Sequence, residues 1–150
     1  MADVHTPQTR SRNMAAIKGS HTKPELMVRH ALHAKGLRYK LHSRDLPGKP
    51  DLVFPKYRAV VFVHGCFWHR HDCHLFKWPS TRQEFWAEKI SRNVLNDDLA
   101  MAKLRENGWR IGTVWECALK GRTRLDFAIA MQKLADWVKS GESMLTIRGE

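Results

Sequence analysis

Residues 58–74 read Arg-Ala-Val-Val-Phe-Val-His-Gly-Cys-Phe-Trp-His-Arg-His-Asp-Cys-His. The stretch 59–63 is apolar throughout and rich in β-branched residues, which predicts a strand covered on both faces. Residues 64–74 hold four of the chain's nine histidines and two of its three cysteines. The segment therefore predicts a buried strand whose end leads into a loop rich in metal ligands and ionisable groups.

The elements around this strand predict an α/β fold. A helix is predicted from Thr22, where Thr22-Lys-Pro-Glu25 has the spacing of a capping box, to a stop at Gly36. Further strands are predicted at 37–42, 51–54 and 109–115, and further helices at 81–95, 97–107 and 123–139. We expect one domain of residues 1–150, with a mixed sheet between helices. Residues 141–150 carry no motif.

The charge of the chain points to a polyanionic partner. Lys and Arg number 26 against 15 acidic residues, so the net charge is +11. This excess is spread along the chain, as expected for a protein that binds a phosphate backbone; the alternative is a merely basic soluble protein. Residues 1–21 carry a short apolar face at Met14 and Ile17, and they form either an arm that folds on a partner or a frayed terminus. Without a signal pattern or a stretch of ~20 apolar residues, we expect a soluble, cytoplasmic protein.

The three cysteines predict a structural zinc site. They cannot all pair with one another, and a reducing cytosol disfavours disulfides. Cys66, Cys73 and Cys117 supply three soft ligands, and one histidine would complete the four that zinc requires. His71 is the preferred fourth ligand because it lies between two of the cysteines. His69 is the alternative ligand, and the side chain of His74 is less easily turned toward the metal. The alternative is buried free thiols.

A second metal is predicted at Asp51. This carboxylate follows a turn and opens a short strand, and a hairpin would bring the residues near Val63 and His64 back beside it. One carboxylate with nearby backbone oxygens can hold Mg²⁺, which polarises a phosphate and activates water; the alternative is an aspartate that caps the turn. His64 and His69 would then be free for proton transfer, although His64 can also be a satisfied histidine at a strand end.

Half of the fourteen aromatic residues lie between Phe62 and Trp86. A loop pinned by metal cannot easily bury every aromatic side chain within it. Exposed aromatics on a basic protein favour stacking on bases or a wedge between base steps. We assign Phe62 and Phe85 to the core, and the wedge candidates are Phe67, Trp68 and Trp86.

Five motifs together resemble the very-short-patch repair (Vsr) mismatch endonucleases. They are Thr9-Arg-Ser-Arg-Asn-Met14, Leu46-Pro-Gly-Lys-Pro-Asp51, Phe62-Val-His-Gly-Cys-Phe-Trp-His69, Thr81-Arg-x-Glu-Phe-Trp-x-Glu-Lys-Ile90 and Val114-Trp-Glu-Cys-Ala118. The likeness runs from about residue 4 to 140. It implies a restriction-endonuclease-like fold with a structural zinc, and a Mg²⁺-dependent nick 5′ to the thymine of a T:G mismatch left by deamination of 5-methylcytosine.

The resemblance also implies roles for individual residues. Asp51 matches the metal-binding carboxylate and His69 the general base, with His64 and Glu25 in support and Asp97 orienting His69. Phe67, Trp68 and Trp86 match the aromatic wedge; Met14 and Ile17 match an arm that reaches the minor groove; Lys89 and Asn93 match residues near the mismatched pair. The implied partners are mismatched double-stranded DNA and, downstream, mismatch-repair proteins and a DNA polymerase; a nick in one strand fits a monomer.

The chain also departs from the family's pattern. Val63 stands where a threonine is expected, which leaves metal binding intact only if this residue acts through its carbonyl. Arg70 and Asp72 replace other residues of the loop, and such exchanges would alter the preferred sequence around the mismatch. Two other functions compete with mismatch nicking: a silent zinc module that binds distorted DNA, and a nuclease of the same fold that cuts matched sites.

Overall fold

The structure, a computed structural model, describes residues 21–150. The predicted arm with Met14 and Ile17 lies outside these residues. The described chain contains three α-helices: α1 (Lys23–Ala34), α2 (Gln83–Glu106) and α3 (Phe127–Lys139). Its strands are β1 (Lys40–Leu41), β2 (Leu52–Phe54), β3 (Ala59–His64), β4 (Arg110–Trp115) and β5 (Met144–Ile147).

The five strands form one mixed sheet in sequential order. Strands β1, β2 and β3 are antiparallel neighbours, whereas β3, β4 and β5 run parallel to one another. The predicted mixed α/β architecture is therefore confirmed. The carboxyl ends of β3 and β4 meet at one edge, because His64 pairs with Trp115 in the last register position. The loop after β3 and the turn after β4 leave the sheet there.

Both faces of β3 are buried, as the apolar run predicts. Ala59 and Val61 belong to one apolar cluster, which also contains residues of α1 and α3. Val60 and Phe62 point to the other face, against Leu104 of α2. The sheet thus lies between α1 and α3 on one side and α2 on the other. Within residues 21–150, no helix is both long enough and apolar enough to cross a membrane.

Helix α1 follows its sequence signals. The side chain of Thr22 accepts a hydrogen bond from the backbone N–H of Glu25, as a capping residue does, and Pro24 lies in the first turn. Val28 and Leu32 are fully buried against the sheet. The position of Glu25 is therefore fixed by both the cap and the packing of its own helix.

Several predicted boundaries are wrong. The separate helices at 81–95 and 97–107 are one continuous helix, α2. Residues 83–106 contain neither proline nor glycine, so nothing in the sequence interrupts the helix between the two predicted segments. Ile90 in the first half and Ala100 and Leu104 in the second half are buried, so both halves of the helix pack within the protein.

Other elements also differ from the sequence prediction. Helix α3 begins at Phe127, not at 123, because Asp126 caps it by accepting from the Ile129 N–H. Strand β1 has two residues where six were expected. Strand β5 was not predicted, since only Ile147 within it is fully buried. Phe85 is 44 % exposed, so its assignment to the core is wrong, whereas Phe62 is buried as predicted.

Candidate active site and metal centre

The hairpin of β2 and β3 positions Asp51. Leu52 pairs with Val61, so Asp51 lies next to the end of β3. Its Oδ2 accepts a hydrogen bond of 2.7 Å from the backbone N–H of Val63. The predicted return of the chain beside Asp51 is confirmed. A backbone donor on one carboxylate oxygen leaves the other oxygen, Oδ1, for other partners.

A second carboxylate stands beside Asp51. Glu25 of α1 is only 1 % exposed, and its two oxygens accept from Arg29 Nη1 at 3.0 Å and face His42 Nε2 at 2.8 Å. Burial raises the pKa of Asp51 from 3.8 to about 8, and the nearby Glu25 carboxylate adds to this effect, while the Val63 N–H and Lys49 oppose it. Without a cation, burial beside Glu25 therefore favours the protonated form of Asp51 more than in an exposed carboxyl group. A divalent cation suits this place because it can replace that proton.

His42 is a member of this group that the sequence did not reveal. Its Nε2 also lies 3.9 Å from Asp51 Oδ1, so one imidazole faces both carboxylates. The only signal was its position just before the turn that precedes Asp51. Pairing of β1 with β2 brings it there, because Leu41 lies opposite Leu52.

His69 and Asp97 form the second half of the site. Their closest atoms, His69 Nδ1 and Asp97 Oδ2, are 2.5 Å apart. Asp97 lies in the middle of α2, so the unbroken helix reaches across the face of the sheet to the metal-rich loop. A carboxylate on Nδ1 holds the proton there and leaves Nε2 as the free acceptor. This arrangement suits a general base.

His64 packs directly behind His69. The two rings are parallel, with centroids 3.8 Å apart. Burial lowers the pKa of His64 well below its ordinary value, and His69 and His71 lower it further. An uncharged His64 imposes no second positive charge on His69. Among the described residues, its buried Nδ1 has no hydrogen-bond partner.

The three cysteines and His71 converge on one point, as the sequence predicted. One donor atom from each of Cys66, His71, Cys73 and Cys117 lies within 4.8 Å of every other. His71 Nδ1 is 3.6 Å from Cys66 Sγ and 3.5 Å from Cys117 Sγ. Tetrahedral zinc, about 2.3 Å from sulfur and 2.0–2.1 Å from nitrogen, would place those atoms about 3.5 Å apart. The donor set and its spacing fit a zinc ion.

The electrostatics of this cluster also favour a cation. Burial lowers the pKa of His71, which keeps its imidazole in the neutral form that binds metals. Burial raises the pKa of the Cys66 thiol, so the thiolate required for zinc depends on the positive charge of the ion itself. His69 and His74, the competing candidates, lie outside this cluster of four.

The loop held by the cluster presents its aromatic residues to a groove. Phe67 and Trp68 are half-buried, and both ring centroids lie within 6 Å of Trp86: 5.3 Å from Phe67 and 5.7 Å from Trp68. The groove has a volume of about 800 Å³, and its walls include Phe67, Trp68, Val63, His69, Lys89, Asn93 and Asp97. Asn93 also donates to the backbone oxygen of Trp68 at 3.1 Å. Predicted catalytic and DNA-binding residues therefore share one surface.

The comparisons with known proteins agree with this geometry. The family model of the DNA mismatch endonuclease Vsr matches residues 2–75. The chain is 48 % identical over 138 residues to the DNA mismatch endonuclease Vsr of Escherichia coli (strain K12), covering 92 % of this chain and 88 % of the relative. The chain belongs to the Vsr family. Its function is that of a DNA mismatch endonuclease.

Two further relatives of this Vsr-family chain are nicking enzymes by name. The type II nicking enzyme V.XorIIP of Xanthomonas oryzae pv. oryzae is 44 % identical, over 79 % of this chain and 88 % of its own length. The type II nicking enzyme V.NmeAIP of Neisseria meningitidis serogroup A is 41 % identical, over 81 % of this chain and 87 % of its own. The resemblance read from the sequence motifs is thereby confirmed, and endonuclease activity of the nicking kind agrees with it.

Proposed function

We propose that this Vsr endonuclease nicks one DNA strand 5′ to the thymine of a T:G mismatch, in a Mg²⁺-dependent reaction that begins very short patch repair. The observation that carries the proposal is that one groove is lined by Val63, whose backbone N–H donates to Asp51, and by the His69–Asp97 pair. A metal-binding carboxylate and an oriented base are what phosphodiester hydrolysis requires.

Asp51 would hold Mg²⁺ through Oδ1, together with the backbone carbonyl of Val63. Bound there, Mg²⁺ supplies charge that stabilises the phosphate and the leaving oxygen in the transition state. Glu25 and His42 support the position of Asp51 from the other side. The valine at position 63 is compatible with this role, because the contact that Val63 makes to Asp51 already comes from the backbone.

His69 would take the proton from the attacking water. Asp97 holds Nδ1, so Nε2 is the nitrogen that faces the reaction. The developing imidazolium is stabilised by the Asp97 carboxylate, and the neutral His64 ring packs against it without opposing charge. General-base catalysis of this kind contributes roughly 10²–10⁴-fold to a rate.

Zinc bound by Cys66, His71, Cys73 and Cys117 would have a structural role. Four protein donors close the coordination shell and leave no position for substrate. The cluster joins the loop that carries Phe67, Trp68 and His69 to the turn after β4 that carries Cys117. We infer that this crosslink fixes the base and the aromatic residues relative to the sheet.

Mismatch recognition would depend on the aromatic residues of the groove. Phe67, Trp68 and Trp86 would enter the base stack as a wedge, while Lys89 and Asn93 would lie near the mismatched pair. A mismatched step costs less energy to deform than a matched one, so the wedge itself favours mismatches. Residues 1–21, with Met14 and Ile17, would form a DNA-binding arm of the same 1–150 domain.

We expect Trp68→Ala to weaken binding to a T:G duplex by about 10-fold or more. Loss of one stacking aromatic costs roughly 1–3 kcal/mol per base, and the loss applies only where the step is opened. Binding to the matched duplex should change little, as measured by fluorescence anisotropy at one salt concentration. Trp78→Ala is the control, since Trp78 is 50 % exposed and is not part of the groove wall described above. Equal losses on both duplexes would mean that Trp68 only packs within the protein.

The proposed function is tested by nicking of a labelled duplex that carries one T:G pair. The reaction contains Mg²⁺, and the matched twin duplex and several flanking sequences are run in parallel. A nick 5′ to the thymine, absent from the matched twin, supports the proposal. Cutting of both duplexes would indicate a matched-site nuclease. Tight mismatch binding without any nick would indicate a silent binding module.

We expect the protein to act as a monomer, because one nick requires one metal-binding carboxylate and one base. Mismatch-repair proteins and a DNA polymerase would act after it.

A further inference from the structure

The C-terminal residues reach the Cys/His cluster from outside. Strand β5 pairs in parallel with β4, and its last residue, Ile147, lies opposite Val114. The chain then passes alongside the turn that carries Cys117. The backbone N–H of Gly149 donates to Cys117 Sγ at 3.3 Å, and the backbone N–H of Glu150 donates to the Thr123 carbonyl at 3.0 Å. This part of the chain had no motif in the sequence, yet it contacts a predicted metal ligand.

Arg148 makes the second connection, to the loop between β3 and α2. Its Nη1 donates to Asp72 Oδ1 at 2.7 Å, and its Nη2 donates to the Asp72 backbone oxygen at 3.2 Å. The same Asp72 Oδ1 lies 3.5 Å from His71 Nε2. His71 presents its other nitrogen, Nδ1, to the sulfur atoms of Cys66 and Cys117. The carboxylate thus stands on the side of the imidazole away from the cluster.

We propose that Arg148, Gly149 and Asp72 form a clamp that retains the metal ion of the Cys/His cluster. The inference rests on the zinc centre of the proposed function and assigns to the C-terminal tail the role of its outer support. Gly149 stabilises the Cys117 thiolate by a hydrogen bond, and Arg148 holds Asp72 beside His71. A carboxylate on the distal nitrogen of a ligating histidine fixes which nitrogen faces the metal.

The clamp acts on two ligands from different elements. Cys117 belongs to the turn after β4, while His71 belongs to the loop after β3. A tail that contacts both keeps them at the distance that one ion requires. Because the same loop carries His69 two residues before His71, the tail also acts as a positioning element for the proposed base.

Arg148 and Asp72 are at the surface, with side chains 44 % and 81 % exposed. An exposed ion pair contributes little to the stability of a fold, so the melting temperature of the zinc-loaded protein should barely depend on it. The rate at which metal is lost is the sensitive quantity. Outer contacts of this kind are worth roughly 10–100-fold in metal affinity, and we expect an exposed pair to lie near the lower value.

The experiment measures zinc release from the full-length protein to an excess of a chromophoric chelator. Zinc content of the purified wild type is determined first. Arg148→Gln and Asp72→Asn should each speed release about 10-fold, and the double variant should be no faster than the faster single one, because both changes remove the same contact. Arg148→Lys should release zinc at a rate between those of the wild type and Arg148→Gln. Arg124→Gln, another exposed arginine of the C-terminal third of the chain, is the matched control.

Two further measurements separate positioning from general destabilisation. The Co²⁺-substituted wild type and Arg148→Gln are compared by their visible absorption, which reports ligand geometry and should shift if His71 is no longer held. Deletion of 148–150, which also removes the Gly149 contact, should release zinc faster than Arg148→Gln, while deletion of Glu150 alone should not. If the protein that lacks residues 148–150 does not fold, zinc release from Arg148→Gln and Asp72→Asn still tests the proposal.

The outcomes distinguish the clamp from the zinc centre. A wild-type protein without zinc would overturn both. Zinc in the wild type with equal release from Arg148→Gln, Asp72→Asn and Arg124→Gln would overturn the clamp alone. Single effects that multiply in the double variant would also overturn it, because Arg148 and Asp72 would then act separately. Mismatch nicking by the wild type is measured in parallel, so that the proposed function is judged on its own result.

Discussion

Asp51→Asn is expected to lower the rate of nicking by at least about 10³-fold while leaving binding to the T:G duplex within a few-fold of wild type. An ion that supplies roughly 4 kcal/mol of transition-state stabilisation accounts for about that factor. Asparagine keeps the shape of Asp51 and can still accept from the Val63 N–H, but it lacks the negative charge that holds Mg²⁺. Single-turnover nicking and equilibrium binding, measured on the same duplex, check the two halves of this result.

The same substitution should stabilise the metal-free fold at pH 8. The pKa of Asp51 is raised from 3.8 to about 8 by burial and by Glu25, so the folded protein binds a proton that the unfolded chain releases above about pH 4. Folding of the wild type therefore becomes less favourable as pH rises from about 4 to about 8. Asparagine does not titrate, so its advantage is absent near pH 4 and full near pH 8.

We expect the melting temperature of Asp51→Asn to lie several degrees above that of the wild type at pH 8 and close to it near pH 4. Added Mg²⁺ should stabilise the wild type and leave Asp51→Asn unchanged, because only the wild type binds the ion. Asp98→Asn, at an exposed position of α2, is the control for a change of net charge. A variant that nicks normally, or that is less stable than wild type at pH 8, would remove Asp51 from the metal site.

Asp51→Asn is thus expected to lower the rate of nicking and to raise the stability of the metal-free fold. Asp51 serves the reaction at a cost to stability. A buried carboxylate beside a second one costs stability unless a cation is present. Glu25 lies on α1 and Asp51 directly precedes β2, so the capped helix and the sheet hold the two carboxyl groups together in spite of this cost.

The sequence predicted best those features that depend on local patterns. The apolar run 59–63 predicted β3, and Thr22 predicted the start of α1. The spacing of Cys66, His71 and Cys73 predicted the cluster that the structure brings together with Cys117. Each depends on a few neighbouring residues and a simple physical rule. Cys117, about 45 residues after the loop, was included because it is the third soft ligand of the chain, and a histidine was then required to complete the four that zinc needs.

What the sequence did not predict depends on packing over longer distances. Strand β5 has one fully buried residue, so its alternation is too weak to recognise before β4 is known. Two helices were predicted on either side of position 96, yet α2 continues through it, and Asp97 directs its carboxylate to His69. His42 reaches Glu25 only because β1 pairs with β2. Phe85 was assigned to the core, but it lies exposed with Arg82 above its ring, 4.2 Å from the centroid.

Loss of a zinc ligand should destabilise the protein strongly. Cys117 is 1 % exposed and is the ligand that joins the loop to the turn after β4. For Cys117→Ser we expect a loss of about 3–5 kcal/mol, or roughly 10 °C in melting temperature, since the binding energy of a structural ion contributes directly to folding. Thermal melting with parallel measurement of zinc content checks this. Exhaustive chelation of the wild type should give the same melting temperature as the variant.

Ala118→Ser is the matched control for this prediction. It places a hydroxyl at the adjacent buried position of the same turn and leaves all four ligands intact. A smaller loss, with zinc retained, is expected for this control. The loop after β3 should also become sensitive to proteolysis in Cys117→Ser and stay protected in Ala118→Ser, because the crosslink is broken only in the first. If chelation left the melting temperature of the wild type unchanged, the four residues would be buried thiols beside a histidine, and His69 would depend on Asp97 alone for its position.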